Sequence, residues 1–400
     1  MRFTHPVPIA VVLATLCACT EQSLPVFENP QPVSVPSGKP AYGPRLSQSG
    51  EGAAVLSWME SNNEGGFLQF STYDQGSWRA AVTAVKDANM FVNWADLPAV
   101  VPIGSGSLLA HWLSYTADAP YAYQVLTALS RDGGASWSAP VSPHGDDTPT
   151  EHGFVSTYAA NNGTGLVWLD GRDTPDKGMT LRGATLALDG ALSDETLLDD
   201  RVCDCCQTDV ALTEAGPIAI YRNRSDDEVR DIYVSRQLDG NWQPGTPVSN
   251  DGWVISGCPV NGPSIVAAGN FVAVAWFTAA NNEPKVQAAV STNSGKTFSV
   301  PVEISSSNAL GHVGIALVDA HSYVVSWMES GAVGSHAIKL RALTLDGQAG
   351  PVHTVGRTSL ARVVPQLIRV HDKLVLAWTD EFDDLSKVVS VEVRIRGFYD

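Results

Sequence analysis

Val55-Leu56-Ser57-Trp58 is a short apolar run closed by an aromatic, and the 400-residue chain returns to that pattern six more times. The later copies are Leu109-Ala110-His111-Trp112, Leu166-Val167-Trp168, Ile218-Ala219-Ile220-Tyr221, Val272-Ala273-Val274-Ala275-Trp276, Val324-Val325-Ser326-Trp327 and Leu374-Val375-Leu376-Ala377-Trp378. Successive aromatics stand 54, 56, 53, 55, 51 and 51 residues apart. A period of that length, held over seven copies, marks one supersecondary unit used repeatedly, and it overrides the two or three domains that length alone suggests.

Each unit reads alike. A run with Pro, Gly or Ser near its start precedes a turn, then comes the aromatic-ended run and a polar loop. An alternating run follows, such as Gly66-Phe67-Leu68-Gln69-Phe70-Ser71, and last a short run often carrying Pro-Val, as at Pro140-Val141 and Pro301-Val302. Runs of four to eight residues bounded by turn formers are strands. Four-stranded units in series form the blades of an all-β propeller. The seventh unit ends near Arg396 without its fourth strand, and the segment from Asn29 to Val35 is expected to supply it, closing the ring and hiding an edge. The expected fold is a seven-bladed β-propeller of four-stranded antiparallel blades.

The turn between the third and fourth strands carries a motif. Ser130-Arg131-Asp132-Gly133-Gly134-Ala135-Ser136-Trp137 matches the Asp box, or bacterial neuraminidase repeat, at every position. Near matches start at Ser71 and Ser291, and degenerate ones surround Asp189, Asp239 and Asp346. The motif is that of a tight turn: Asp or Asn bonds its own backbone, Gly takes positive φ, and the aromatic packs between blades. Through these boxes, residues 40–396 resemble the sialidase superfamily. That resemblance implies a propeller and leaves a six-bladed, sialidase-type ring as the alternative count. It also implies an arginine triad, a Tyr nucleophile paired with Glu, and an acid–base Asp. Gly43-Pro44-Arg45-Leu46 is a faint echo of the family's Arg-Ile-Pro motif, Arg362 and the arginines near 222 do not recur in its context, and no Tyr–Glu pair identifies itself.

The N-terminus reads as an address. Arg2 and the apolar stretch from Val7 precede Leu16-Cys17-Ala18-Cys19, which resembles the bacterial lipobox. The expected organisation is a lipoprotein signal peptide over residues 1–18, then lipidated Cys19, a tether and the closing strand over 19–39, and the propeller over 40–400. Thr20 after Cys19 implies, by the same resemblance, outer-membrane sorting, so one expected partner is the membrane, reached through an N-terminal lipid. With 25 basic and 42 acidic residues the net charge is −17, which repels nucleic acid and anionic membrane surfaces.

Blade topology sorts the chemistry-bearing residues. Loops between blades, and loops joining second and third strands, share one face; the Asp-box turns lie on the other. The first face therefore collects the candidate carboxylates Asp96, Asp170, Asp173 and Glu228, the candidate ligand-binding residues Arg222, Arg224, Arg230, His152 and His312, and four cysteines, Cys203, Cys205, Cys206 and Cys258. Loop residues on a rigid scaffold are where function concentrates. Cys203 and Cys258 stand 55 residues apart, one period. The cysteines suit two disulfides, a thiolate site for copper or zinc completed by His152 or His312, or a redox-active pair. His144 is expected to be solvated. Arginine forks suit a carboxylate or phosphate ligand. The expected function is an envelope-anchored, sialidase-like propeller that binds a small molecule, a glycan or a soft metal on this face, without sialidase activity. The alternatives are an exo-sialidase or other glycoside hydrolase using the carboxylates, and a protein-interaction scaffold with structural disulfides.

Overall fold

A computed structural model describes residues 1, 24–48, 52–193, 195–306, 308–332, 334–383 and 385–396. The expected signal peptide and lipidated Cys19 lie outside the described residues. No described helix is long and apolar enough to cross a membrane.

The fold is a seven-bladed propeller, one blade per sequence repeat. Blade one is Ala41–Gln48, Ala54–Asn62, Gly65–Asp74 and Val82–Asp87, paired antiparallel in that order. Blade three runs His152–Ala160, Gly163–Asp170, Thr180–Ala187 and Thr196–Asp199, and blades four, five and six begin at Asp209, Ser264 and Ala309. Blade two departs from the expected four strands. Ala99–Gly104, Ser107–Tyr115 and Tyr123–Ser130 form a regular sheet, while Pro140-Val141 contributes only a bridge from Val141 to Thr127. The chain then leaves that edge, carrying His144 and Asp146 toward blade three.

The N-terminal segment closes the ring. In blade seven, Gln31–Val33 and Val26–Phe27 both pair antiparallel with Leu385–Arg396, with Gln31 opposite Glu392 and Val26 opposite Arg396. Phe27, Val33 and Val35 point into the core.

The aromatic that ends each repeat explains the period. Trp58, Trp168, Trp276 and Trp327 are fully buried, and the described apolar side chains form seven clusters, one at each blade-to-blade boundary. A buried indole N–H needs an acceptor. Trp58 donates to Glu60 (2.7 Å), Trp112 to Asp87 (2.9 Å), Trp276 to Asp251 (2.7 Å) and Trp327 to Glu329 (2.8 Å), while the Tyr221 hydroxyl donates to Asp199 (2.6 Å). Blade seven breaks the rule: Asp380 turns to Thr358 and Ser359, and the Trp378 N–H has no partner among the described residues.

The Asp boxes fold as their residues dictate. Asp132 accepts from the Ser136 N–H (2.9 Å) and hydroxyl (2.5 Å), and Asn293 repeats the backbone bond with Thr297 (3.0 Å). The hydrogen bonds from Ser136 and Ser130 hold the Asp132 carboxyl down to about 2. Gly134 lies at φ +93°, and a Cβ there would stand 2.4 Å from Phe70 of blade one. Trp137 meets the edge of Phe70, and the Trp78 N–H reaches Ser390 of blade seven at 3.1 Å. These boxes are interblade fasteners.

Candidate functional site

Five of the blade-connecting segments converge over the channel mouth. Asn93 Oδ1 accepts the N–H groups of Ala95 (2.8 Å) and Asp96 (2.7 Å), which folds residues 93–97 into a compact turn. This turn is tied across the mouth to three other blades. Asp96 Oδ1 accepts the Phe154 N–H at 2.8 Å, Ala95 O accepts from Gln207 Nε2 at 3.0 Å, and the Trp94 ring meets His312 edge-on at 5.9 Å. Gln207 continues the brace through Oε1, which accepts the Gly262 N–H at 2.9 Å. The turn is a plug.

Beside the plug lies a cleft of about 420 Å³ lined by Tyr42, Ser61, Asn93, Trp94, Leu360 and Arg362, among others. Trp94 and Tyr42 are half-buried and Arg362 is exposed; among the described residues neither the Arg362 guanidinium nor the Trp94 N–H has a hydrogen-bond partner. Such a cleft offers an aromatic surface, a neutral donor and a cation to one ligand. A second cavity of about 320 Å³, reached from the Asp-box end, is lined by Arg45, His111 and Asp209.

Beneath the plug the expected candidate Asp96 joins Glu151 and Tyr123, a pair that sequence reading did not single out. The Tyr123 hydroxyl donates to Glu151 Oε1 at 2.5 Å, and the Tyr123 ring stacks on Phe91 at 4.4 Å. Burial pushes the Glu151 carboxyl up to about 7, with the charge of Asp204 adding to the shift and the bond from Tyr123 opposing it. Burial likewise pushes Asp96 up to about 8 against the Phe154 N–H, and Asp96 Oδ2 has no partner among the described residues. Gly153 makes room for that oxygen, because a Cβ would stand 1.9 Å from it and force the Asp96 carboxyl to shift. Tyr123 opens a third strand and Glu151 closes an interblade loop, so their meeting depends on the packing of blade two against blade three.

His152 does not join the cysteines. Its ring stacks on that of His144, 4.0 Å apart and 8° from parallel, which corrects the expectation that His144 is solvated: it is buried. Both rings reach Asp146 Oδ1, His144 through Nδ1 and His152 through Nε2, each at 3.1 Å. His144, Asp146 and His152 lie close enough together for a metal. The stacking argues against it. Nitrogen lone pairs lie in the ring plane, so two parallel stacked imidazoles cannot aim at one ion. The two rings instead share one carboxylate partner, Asp146. Burial lowers His144 to about 4, with the charge of His152 adding. Burial opposes a charge on His152 too, but the bond to Asp170 and the charges of Asp170 and Asp146 reverse that and raise it.

The predicted carboxylates fall into different situations. Asp170 is fully buried and grips Arg172 through two bonds (2.7 and 2.6 Å); burial alone would raise it, but His152 and Arg172 hold it far below the usual range. Asp173 pairs with Arg182 at 3.3 Å. Glu228 is held down to about 2 by the bonds from Arg224 and Arg230. Three of the four are therefore tied up in ion pairs, and Asp96 stands apart with its carboxyl pushed up to about 8.

Arg222, Arg224 and Arg230 are likewise committed. Arg222 is buried, spends four of its five N–H groups on the carbonyls of Arg230, Asn261 and Phe277, and lies 4.8 Å from the Trp253 ring; it braces three backbone segments and is closed off from a ligand, contrary to expectation. Arg224 bridges Glu228 and Asp204, and Arg230 bonds Glu228 at 2.9 Å. His312 is buried, and burial lowers it to about 4.

The cysteines are paired, Cys203 with Cys206 and Cys205 with Cys258. The second bond staples the blade three-to-four loop to the next loop one period on. Paired sulfurs present no thiolate, so copper or zinc ligation would require their reduction first.

No family model matches the chain, and no curated protein matches it. Among solved structures it is similar to a protein of unknown function from Dyadobacter fermentans, with a TM-score of 0.54 and 12% identity over 93% of this chain and 99% of that one. The polysaccharide lyase Uly1 matches at TM-score 0.54 and 9% identity, covering 88% of this chain and 90% of the lyase. An α-L-arabinofuranosidase of Fusarium graminearum matches at 0.53 and 14%, covering 80% and 98%. Sialidases match at TM-scores of 0.43 and 0.49, too loosely to carry weight. At such identities the likeness is one of fold.

Proposed function

We propose that the protein is an envelope-anchored propeller that binds a small acidic carbohydrate, or a ligand of like chemistry, in the cleft beside Trp94. The observation that carries this reading is the unpartnered Arg362 guanidinium facing the same cleft as the Trp94 and Tyr42 rings. Sugar rings stack on aromatic faces, and a guanidinium takes a carboxylate bidentately. The Leu16-Cys17-Ala18-Cys19 motif supports the anchor; labelled palmitate should enter the wild type and be lost in Cys19→Ala. Titration calorimetry with sialyllactose and tri-galacturonate tests the binding. Trp94→Ala and Arg362→Ala should each weaken it at least about tenfold, the loss of one good contact. Unchanged affinity in both variants would remove the cleft from the account.

A second reading, a glycoside hydrolase, is favoured by one feature: Asp96 and Glu151 have their carboxyls pushed up to about 8 and 7, where an acid can give and a base can take a proton at neutral pH. The plug must move for either to reach a sugar. A panel of fluorogenic glycosides decides: turnover lost in both Asp96→Asn and Glu151→Gln supports it, and no turnover across the panel rejects it.

A further inference from the structure

Four sulfurs in two bonds, set between an exposed and a buried position, are more than a staple needs. Cys258 is exposed, Cys205 is half-buried, and Cys203 and Cys206 are both 1% exposed. The two disulfides touch: Cys205 Sγ lies 4.0 Å from Cys203 Sγ. Beside that sulfur stands a cation, with Arg230 Nη1 3.5 Å from Cys203 Sγ. The guanidinium is itself fixed by Glu228 at 2.9 Å and faces Asp204 at 3.6 Å, so it cannot swing away.

We infer that Cys258, Cys205, Cys203 and Cys206 form a thiol–disulfide exchange centre, which takes up an external thiol at Cys258 and passes the opened bond inward to Cys206. The proposal is independent of the carbohydrate reading. The chemistry is a sequence of thiolate displacements. An external thiolate attacks Cys258 Sγ, forms a mixed disulfide there and expels Cys205 as thiolate. Cys205 Sγ, already beside Cys203 Sγ, attacks it; the Cys203–Cys206 bond breaks, a Cys203–Cys205 bond forms, and Cys206 leaves as thiolate. A second external thiolate then takes the first from Cys258 as a small disulfide. Two external thiols are oxidised, one protein disulfide is reduced, and the two thiol protons end on Cys206 and Cys258. Arg230 places positive charge at the sulfur under attack, where it draws the incoming thiolate and offsets the negative charge spread along the three-sulfur transition state.

The burial gradient directs the traffic. A solvent thiol can reach Cys258 but not the Cys203–Cys206 bond, which opens only through Cys205. The product thiolate is formed next to Gln207, the residue that braces the plug to Ala95 and Gly262, so the exchange acts directly on the strut of the mouth.

Peptide mapping tests this. Protein treated with a limiting amount of glutathione, quenched in acid and alkylated should carry glutathione on Cys258, the alkyl label on Cys206, and a new Cys203–Cys205 link. Label on Cys205 with Cys203–Cys206 intact, or no adduct at Cys258, would overturn the proposal. Cys258→Ser gives a second route that needs no external thiol. Its unpaired Cys205 should exchange spontaneously, so that label divides between Cys205 and Cys206; label confined to Cys205 contradicts the inference. In Arg230→Met the adduct at Cys258 should form at the wild-type rate while transfer to Cys206 slows about tenfold, the loss of a cation beside the reacting sulfur. Equal slowing of both steps would mark Arg230 as structural only.

Discussion

The indole N–H of Trp168 donates to Asp170 Oδ2 at 2.9 Å, and the same carboxylate accepts from Arg172 at 2.7 and 2.6 Å. A core aromatic of one repeat is thus wired directly to the charged network at the channel mouth. In blades one and six the acid two residues on likewise serves its aromatic; in blade three it also pairs with a guanidinium and raises the pKa of His152.

Asp170→Ala should therefore cost far more than a surface ion pair. It strands the buried Trp168 N–H and takes the buried carboxylate from His152 and Arg172, leaving Arg172 with Glu195 and Asp146, a loss of about 3 kcal/mol in chemical denaturation. Asp173→Ala, whose carboxylate is a third exposed, should cost less than about 1 kcal/mol. Equal losses in the two variants would refute the hub role of Asp170.

The closing strand makes a second claim testable. Removing residues 24–35 deletes Val26–Phe27 and Gln31–Val33 and bares the Leu385–Arg396 edge. An open edge pairs with other chains, so the truncated protein should aggregate or lose cooperative unfolding in a thermal scan followed by light scattering. A monomeric truncation with wild-type melting would show that the ring closes without that strand.

Protonation of the buried acids sets a pH dependence. In the folded state Asp96 titrates near 8, far above an unfolded aspartate at about 3.9. A raised value means stability fully present below about pH 4 and lost as pH rises through about 8. Relative to Asp96→Asn, the wild type should lose stability steadily over that window, by at most about 1.4 kcal/mol per pH unit. Because the charge of Glu151 adds to the Asp96 shift, the comparison is made in a Glu151→Gln background, where the difference isolates Asp96. Parallel stability curves for the two proteins would contradict the burial of a protonated Asp96.

The ring was legible in the sequence because blade architecture is a local code: the apolar run, its closing aromatic and the Asp-box turn recur at short range, and seven copies average out the degenerate ones. The missing fourth strand could be counted, and its replacement found at the other terminus. The site was legible only in outline. Topology put Asp96, His152 and the cysteines on one face, but which of them touch depends on how the loops cross the mouth. Tyr123 carries no motif, and its bond to Glu151 exists only because blade two packs on blade three. His144 looked solvated because it follows Pro143 in a polar loop, whereas the early end of the fourth strand in blade two turns that loop inward. Arg222 looked like a ligand site because charge is visible in sequence and backbone carbonyl acceptors are not. A signal was available for the disulfides: Cys203 and Cys258, one period apart, had to lie in neighbouring loops, although the bond itself runs from Cys205.

The central claim is that ligand chemistry belongs to the plugged mouth and that the Asp-box face is structural. Hydrogen–deuterium exchange with and without tri-galacturonate tests it most directly. The account predicts slowed exchange confined to residues 91–97 and 360–364, with the turns at 130–137 and 291–298 unchanged; protection on those turns, or none at the mouth, would contradict it.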